Sequence, residues 1–363
     1  MSEMSPDDFF RRQAQDARGP ESPGKEHRTP ARRRRRRLRR VALASGISLA
    51  LVTGIAAGGT LFTARHLAGS VQRLNGIAAL TAAHQPVMPA AFRKSMTVLV
   101  TSSGERPGPN GGGVDGASPD PQPLSGLISL VHLDADNRGG GVDSIPANTV
   151  VHIPGHGSMK IWRTLAVGGP SLLIRTVENL TNVRIDHYSV LDFSRVQTVV
   201  AAMNGVKVHV PFTVHSEGFT FRAGIDKLNA ADVLAYVRQP GVSEIGRTEL
   251  QSNLIRAILS TIANKHLFSH VRTDFRVLHA MAQVFSVDSN FTDAQLVSLG
   301  LRLGNLSARS GTFITVPTTV RGGTGSVFLR QPLARELWAA TRNDSLAAYA
   351  RRFPFTVTPG APA

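Results

Sequence analysis

Two arginines and a glutamine lie close together in the stretch from Tyr236 to Gln251, which reads YVRQPGVSEIGRTELQ. Arg238 and Arg247 carry guanidinium groups, which bind phosphate oxygens through two parallel hydrogen bonds, and the Gln251 amide can serve the same ligand. The pattern therefore favours a site for a phosphate or a similar oxyanion. Ordinary surface salt bridges are the alternative interpretation of the two arginines.

The predicted elements around this stretch present these side chains to one loop. A helix is expected to end at about Val237, a loop to cover residues 239–246, and a second helix to begin at about Arg247. Residues four apart lie on the same face of a helix, so Arg247 and Gln251 are expected to point toward the loop together.

The formal net charge of +16 is distributed over the whole chain of 363 residues. Residues 1–40 hold 13 basic and 6 acidic residues, and residues 41–363 hold 28 and 19, so the larger part is also basic. This favours anionic partners such as phosphates, acidic polymers or lipid headgroups. Arginine outnumbers lysine 35 to 6, which also fits a GC-rich genome. The absence of cysteine excludes disulfides, thiolate nucleophiles and cysteine-ligated zinc.

An uncharged run of 24 residues at 41–64 is long enough, at about 1.5 Å per residue, to cross a hydrocarbon core of roughly 30 Å. Arginines at 32–37, 39 and 40 precede it, so the N-terminus is expected to stay in the cytoplasm. We predict a single-pass protein of the cell membrane, with a disordered basic cytoplasmic tail at 1–40 and an extracytoplasmic domain. A cleaved signal peptide is an alternative for the apolar run. Topology explains the arginines more simply than nucleic-acid binding does, so no nucleic-acid partner is predicted.

The remainder reads as one domain with short appendages. Residues 65–95 carry apolar residues at loose helical spacing and are predicted to form a helical extracytoplasmic stalk. The domain is expected over 96–345, with a flexible loop rich in Gly and Pro at 102–124 and a C-terminal tail at 346–363. Strand-like and helix-like segments alternate within the domain, which indicates a layered α/β fold.

Six short phrases, each weak alone, follow one another along the predicted domain. They are SIPANT at 144–149, the pair Lys160–Ile161, the pair Gly168–Gly169, IDHYSVLDF at 185–193, NGVKV at 204–208, and the stretch from Tyr236 to Gln251. In this order they resemble the LytR-CpsA-Psr family of cell-envelope proteins. The resemblance implies a three-layer α-β-α sandwich around a mixed central sheet, preceded by one transmembrane helix.

Members of this family bind polyprenyl-pyrophosphate-linked glycans and transfer the glycan phosphate to peptidoglycan or another wall polymer, commonly with Mg²⁺. The resemblance implies a phosphotransferase of cell-wall assembly, with the lipid-linked glycan, the wall acceptor and the membrane as partners. It gives Arg238, Arg247 and Gln251 a role in pyrophosphate binding. Lys160 and Arg163, just before the paired glycines, either add positive charge to that site or lie solvated. No catalytic residue is assigned.

The chain departs from the family pattern where charged groups are expected. Ser102–Gly104 and Ser125–Leu127 stand where the family has aspartates; Ala147 and Asn148 replace an arginine and an aspartate; Pro240 and Leu250 occupy arginine positions; and Glu244 occupies an aspartate position. No metal ligand is therefore assigned, although Glu105 or Glu244 is an alternative, and Mg²⁺ is implied only by the resemblance. Two hypotheses stay open: a transferase, and a catalytically inactive relative that binds lipid-linked or wall polymers.

Overall fold

The computed structural model describes residues 69–80, 85–103, 127–136, 139–210, 213–216, 218–239, 242–264, 271–305, 311–321 and 326–358. Within these ranges, no helix combines the length and the apolar character that crossing a membrane requires. The predicted transmembrane segment at 41–64 and basic tail at 1–40 lie outside the described residues. So does the predicted loop at 102–124, except that residues 102 and 103 belong to a strand.

The described strands and helices alternate along most of the chain. In chain order the strands are β1 Gln72–Leu74, β2 Met96–Ser103, β3 Leu127–Leu133, β4 Gly140–Pro146, β5 Val150–Ile153, β6 Gly157–Lys160, β7 His187–Asp192, β8 Val206–Val210, β9 Val214–Ser216, β10 Phe219–Phe221, β11 Gly224–Leu228, β12 Phe285–Asp288, β13 Gly311–Thr315, β14 Thr318–Val320 and β15 Val327–Leu329. The helices are α1 Arg163–Thr181, α2 Phe193–Ala202, α3 Asp232–Val237, α4 Glu244–Asn264, α5 Val271–Val284, α6 Asp293–Asn305, α7 Gln331–Arg342 and α8 Leu346–Arg352.

Strands from distant parts of the chain form one mixed sheet in the order β1-β12-β7-β2-β3-β4-β13. Strand β2 runs parallel to β7 and β4 runs parallel to β13, whereas β3 is antiparallel to both β2 and β4. The carboxyl ends of β2, β4, β7 and β13 therefore meet at one edge, together with the start of β3. We call this the carboxyl edge of the sheet.

Apolar side chains cover both faces of the sheet because successive residues of a strand point to opposite sides. Val98 and Val100 of β2 join a buried cluster with α2, α3, α4, α5 and α6, whereas Leu99 between them joins a second cluster with α1, α7 and α8. Helices thus pack on both faces of the central mixed sheet, and the predicted α/β class is confirmed.

Helix α1 begins earlier than its strongest apolar pattern, which starts at Ser171. Its first turns run from Arg163, and the helical backbone is interrupted at Gly169, where φ is 63°. Glycine adopts this left-handed conformation without the steric penalty of other residues, and Pro170 then restarts the helix. The break separates the first turns of α1, where residues 166–168 are exposed, from the turns that pack on the sheet.

The helical stalk predicted at 65–95 is wrong at residues 72–74. Gln72–Leu74 forms β1, which pairs in parallel with β12 at the edge of the main sheet. Leu74, Ile77 and Leu80 pack against the second apolar cluster, so the spacing that resembled a helix reflects contacts with the domain. The pairing partner lies more than two hundred residues away, where local spacing gives no signal.

The prediction of a C-terminal tail at 346–363 is wrong for residues 346–358. Leu346–Arg352 forms α8, and Leu346 and Tyr349 are buried in the second cluster. Beyond α8, Val357 forms a bridge to Ile314 of β13, and Arg256 Nη1 of α4 donates a hydrogen bond of 2.5 Å to the Thr358 carbonyl. The segment to residue 358 is therefore part of the domain.

Candidate anion-binding site

The predicted anion-binding residues fall on a helix–loop–helix unit formed by α3, the segment 238–243 and α4. Asn229 and Asp232 fix its beginning, because Asn229 Oδ1 accepts from the Ala231 amide at 2.8 Å and Asp232 Oδ2 accepts from the Asn229 amide at 2.8 Å. This reciprocal arrangement satisfies backbone donors that the first turn of a helix leaves free. Helix α3 then ends directly before Arg238.

A hydrogen bond between α3 and α4 holds the two ends of the loop together. Asn253 Nδ2 of α4 donates to the Tyr236 hydroxyl of α3 at 3.1 Å and also to the His209 carbonyl of β8. Burial raises the pKa of Tyr236 well above its ordinary value, so the phenol stays neutral. Tyr236 lies two residues before Arg238 and Asn253 two residues after Gln251, so this contact fixes both flanks of the site.

Helix α4 is anchored to the sheet by a chain of buried serine hydroxyls. Ser129 Oγ of β3 lies 2.9 Å from Ser144 Oγ of β4, which lies 2.8 Å from Ser252 Oγ of α4. Ser144 is the first residue of the SIPANT phrase, two residues from the end of β4. The neighbour of Ser252 on α4 is Gln251, so the glutamine is placed near the carboxyl edge of the sheet.

Arg238 and Arg247 are half-buried, and their guanidinium groups make no ion pair or hydrogen bond with another described residue. Gln251 is 2% exposed, and its amide likewise has no hydrogen bond within the described ranges. A half-buried charge without a counter-ion is unfavourable, because desolvation is not offset by an opposite charge. The arrangement therefore favours an anionic ligand at this position over ordinary salt bridges.

Lys160 and Arg163 belong to the layer of α1 and the small β5–β6 sheet, on the other side of the main sheet from α4. They are linked to the turn after β4 through the backbone: the Ile161 amide donates to Thr149 at 2.8 Å, and the Trp162 amide donates to Ala147 at 3.3 Å. Both residues already have an interaction partner, and Arg163 also lies over the Trp162 ring at 5.4 Å. The SIPANT segment thus contacts α4 on one face of the sheet, through Ser144, and the backbone between Lys160 and Arg163 on the other face.

Two buried donors near these residues were missed by the sequence reasoning. Gln239, directly after Arg238, is 3% exposed, and its Nε2 has no acceptor among the described residues. Trp162 Nε1, directly before Arg163, is in the same situation. A buried donor without a partner is disfavoured by about 1–3 kcal/mol, so both are candidates to donate to a ligand oxygen. The sequence signal for Gln239 was its position directly after Arg238.

The described carboxyl edge does not offer a free carboxylate for Mg²⁺. Ser102 Oγ accepts a hydrogen bond from the Leu127 amide at 3.1 Å and so ties β2 to β3. Asp192 lies beside Ser103 in the sheet, but its Oδ1 accepts from the Ser194 amide at 2.9 Å and its Oδ2 pairs with Arg195 Nε at 3.1 Å. A divalent ion needs carboxylate oxygens that are not already committed. The Glu105 residue and the Glu244 side chain lie outside the described part of the structure.

The fold is a mixed α/β fold with helices on both faces of one sheet, and comparison with known families identifies it. The model of the LytR_cpsA_psr family matches residues 87–343. The chain therefore belongs to the LytR-CpsA-Psr family. It is 29% identical over 163 residues to the TagU protein of Enterococcus faecalis, named a polyisoprenyl-teichoic acid–peptidoglycan teichoic acid transferase. That match covers 44% of this chain and 53% of TagU, so the chain spans about half the length of this relative.

Solved structures share the fold. Bacillus subtilis TagV superimposes with a TM-score of 0.54 at 21% identity, over 70% of this chain and 98% of TagV. The YwtF (TagT) protein of Bacillus subtilis was solved with bound octaprenyl pyrophosphate lipid. It superimposes with a TM-score of 0.50 at 22% identity, over 76% of this chain and 98% of the YwtF chain. At these identities the likeness establishes the fold.

Proposed function

We propose that this protein binds polyprenyl-pyrophosphate-linked glycans at the site of Arg238, Arg247 and Gln251, as a membrane-anchored extracytoplasmic protein of cell-wall assembly. The observation that carries the proposal is the pair of half-buried guanidinium groups without an anionic partner within the described ranges. Family membership and the bound octaprenyl pyrophosphate of the related TagT structure support the choice of ligand.

A pyrophosphate carries several negative charges over a short distance, so it needs cations on more than one side. Arg238 and Arg247 lie at the two ends of one loop and can each bind phosphate oxygens through paired N–H groups. Gln251 adds a neutral donor one turn beyond Arg247. Lys160 and Arg163, linked to the same edge through residues 147 and 149, would extend the positive surface toward the glycan or the acceptor.

Transfer would follow if an acceptor hydroxyl of the wall polymer attacks the glycan-linked phosphorus. The new bond is acceptor oxygen to phosphorus, the broken bond is phosphorus to bridging oxygen, and polyprenyl phosphate leaves while the hydroxyl proton passes to a base. In this step Arg238 and Arg247 would stabilise the charge that develops on the bridging oxygen. This makes the protein a phosphotransferase of the wall, with peptidoglycan or another wall polymer as acceptor.

A second candidate function is binding without transfer, and one observation favours it. The Ser102 hydroxyl accepts from the Leu127 amide and both oxygens of Asp192 are engaged, so these groups of the described carboxyl edge leave no carboxylate oxygen free for a metal ion. Such a protein would hold lipid-linked or wall polymers, or act as a scaffold, through the same arginines.

Binding and transfer are separated by measuring both on full-length protein in detergent, with octaprenyl pyrophosphate and with or without Mg²⁺. We expect Arg247→Ala to weaken lipid binding by about tenfold to a hundredfold, since a charge-assisted hydrogen bond contributes about 1.5–3 kcal/mol. The matched control is Arg351→Ala, an exposed arginine of α8 on the other face. Equal affinity of wild type and Arg247→Ala would refute the site.

Phosphate release from the same lipid distinguishes the two functions. Turnover that Arg247→Ala abolishes supports the transferase, whereas tight binding without turnover supports the binding protein. The anchor is tested on a variant with one introduced cysteine, Ser158→Cys, because the natural chain has none. Labelling of intact cells by a membrane-impermeant thiol reagent is the expected result, and labelling only after lysis would overturn the proposed topology.

A further inference from the structure

A second polar cluster lies at the opposite edge of the sheet from the anion site. His132 is near the end of β3, Asp134 follows that strand, and Asp344 follows α7. One ligand atom from each of the three side chains lies within 4.8 Å of the others. Strand β3 separates this cluster from the carboxyl edge by about 20 Å, at about 3.3 Å per residue. The cluster is therefore distinct from the proposed pyrophosphate site.

The distances place three metal-binding groups around one point. His132 Nε2 lies 2.8 Å from Asp344 Oδ1 and 3.8 Å from Asp134 Oδ1. Ligand atoms of a tetrahedral zinc site are about 3.3 Å apart, as follows from metal–ligand distances of about 2.0–2.1 Å. The first distance must open by about 0.5 Å and the second must close by the same amount, while the two aspartate oxygens lie within 4.8 Å of each other.

Surrounding hydrogen bonds hold two of the three groups in position. Thr97 Oγ1 lies 2.9 Å from His132 Nδ1, and His132 Nε2 donates to Asp344 Oδ1 at 2.8 Å. A metal ion would take the place of the Nε2 proton, and Nδ1 would then donate to Thr97. Ser95 Oγ donates to Asp344 Oδ1 at 2.9 Å, and the Ala135 amide donates to Asp344 Oδ2 at 2.7 Å. Such outer contacts commonly orient the histidine and carboxylate ligands of metal sites.

Asp134 is the member of the cluster whose hydrogen bonding is incomplete. Its Oδ1 is buried and has no hydrogen-bond partner among the described residues. Arg302 lies nearby, but its Nη2 donates to the Asp134 carbonyl at 2.8 Å rather than to the carboxylate. The carboxylate thus lies near the Arg302 guanidinium, but its Oδ1 accepts no hydrogen bond from a described residue.

A second buried histidine–aspartate pair serves as a comparison, because the protein itself satisfies both oxygens of its carboxylate. His187 Nδ1 lies 3.1 Å from Asp288 Oδ2, which also accepts from the Tyr188 amide at 3.0 Å. Asp288 Oδ1 accepts from the Asn290 amide at 2.9 Å, so both oxygens are satisfied, and no second carboxylate of the described residues joins the pair. The unpartnered third ligand is what distinguishes the His132 cluster.

We propose that His132, Asp134 and Asp344 form a binding site for a divalent transition-metal ion of the Zn²⁺ class, with water as the fourth ligand. One imidazole and two carboxylates suit Zn²⁺, whereas Mg²⁺ and Ca²⁺ prefer ligand sets made only of oxygen. Two carboxylates and the Arg302 guanidinium give the cluster a net charge of −1, which a dication reverses. The ion would join the end of β3 to the turn between α7 and α8.

The test uses full-length, tag-free protein in detergent, stripped with EDTA and titrated with Zn²⁺ and with Co²⁺. We expect one Zn²⁺ per chain, a higher unfolding temperature, and the strong visible absorption of four-coordinate Co²⁺. Asp134→Asn should abolish all three without lowering the stability of the metal-free protein, because it removes a buried carboxylate without a partner. The control is Asp136→Asn, an exposed carboxylate two residues away.

Thr97→Val provides a variant that keeps every ligand. Loss of an outer hydrogen bond commonly weakens metal binding by about tenfold to a hundredfold, and we expect a weakening of that size. If Asp134→Asn binds Zn²⁺ as tightly as the wild type, the proposal is overturned. Binding of Zn²⁺ by exposed histidines such as His152 and His156 would give that result. Absence of stoichiometric Zn²⁺ binding in the wild-type protein would overturn it as well.

Discussion

Asp143 gives this domain a pH-dependent stability that one substitution should remove. The residue lies within β4, and its side chain has no exposed surface. Thr341 Oγ1 donates a hydrogen bond of 2.6 Å to Asp143 Oδ2, whereas Oδ1 has no partner within the described residues. Burial raises the pKa of the carboxyl from an ordinary 3.8 to about 7, against smaller opposing effects of Thr341 and His132.

The direction and the size of the effect follow from proton linkage. As pH rises from about 4 to about 7, the unfolded chain releases this proton while the folded chain retains it. The folded state therefore binds more protons, and the free energy of unfolding falls as pH rises. Each pKa unit is 1.36 kcal/mol, so a rise from 3.8 to about 7 corresponds to roughly 4 kcal/mol. At about 2–4 °C per kcal/mol, this is on the order of 10 °C in Tm.

The assay is thermal unfolding of wild type and Asp143→Asn from pH 4.5 to pH 8, in detergent with EDTA. The asparagine leaves buried N–H groups unpaired, which lowers stability by about 1–3 kcal/mol at every pH. We therefore expect the variant to be less stable at pH 4.5, and the gap to close or reverse by pH 8. Asp134 and Glu178, whose carboxyl pKa values are raised by burial to about 6 and about 7, are present in both proteins.

The matched control for this experiment is Glu336→Gln, whose exposed carboxylate pairs with Arg352 at 3.0 Å on the surface. Its Tm should follow that of the wild type at every pH, because exposed ion pairs contribute little. Parallel curves for wild type and Asp143→Asn would refute the reasoning, since they would show that Asp143 titrates alike in the folded and unfolded chains.

Three further outcomes are expected. Leu346→Ala should lower the free energy of unfolding by about 2–5 kcal/mol, because Leu346 is buried in the second apolar cluster; an unchanged Tm would contradict the place of α8 in the domain. Tyr236→Phe should lower stability by about 1 kcal/mol and weaken polyprenyl-pyrophosphate binding, because Asn253 loses the hydroxyl that joins α3 to α4; equal affinity would separate this contact from the site. Gln239→Leu should raise the Tm of the ligand-free protein and weaken ligand binding, and a lower Tm would show that the amide has a partner in the folded chain.

Local patterns predicted several elements to within a residue or a few. The helix expected to end at about Val237 ends there, and the helix expected to begin at about Arg247 begins three residues earlier, at Glu244. Periodicity succeeds here because each element buries one face or both faces in a regular way. It failed at Gln72–Leu74, where the apolar spacing of three to four residues suited a helix but the segment pairs with β12.

The sequence by itself determined the helix–loop–helix unit and the positions of Arg238, Arg247 and Gln251, because their spacing depends on a few neighbouring residues and on the geometry of one helix. Only the tertiary structure decided that the two guanidinium groups have no counter-ion in the described chain, and that the backbone between Lys160 and Arg163 bonds to the turn after β4 from the opposite layer. It also decided that His132 and Asp344, 212 residues apart, meet at 2.8 Å. Contacts of this kind depend on the order of strands in the sheet, which no local pattern in a single sequence specifies.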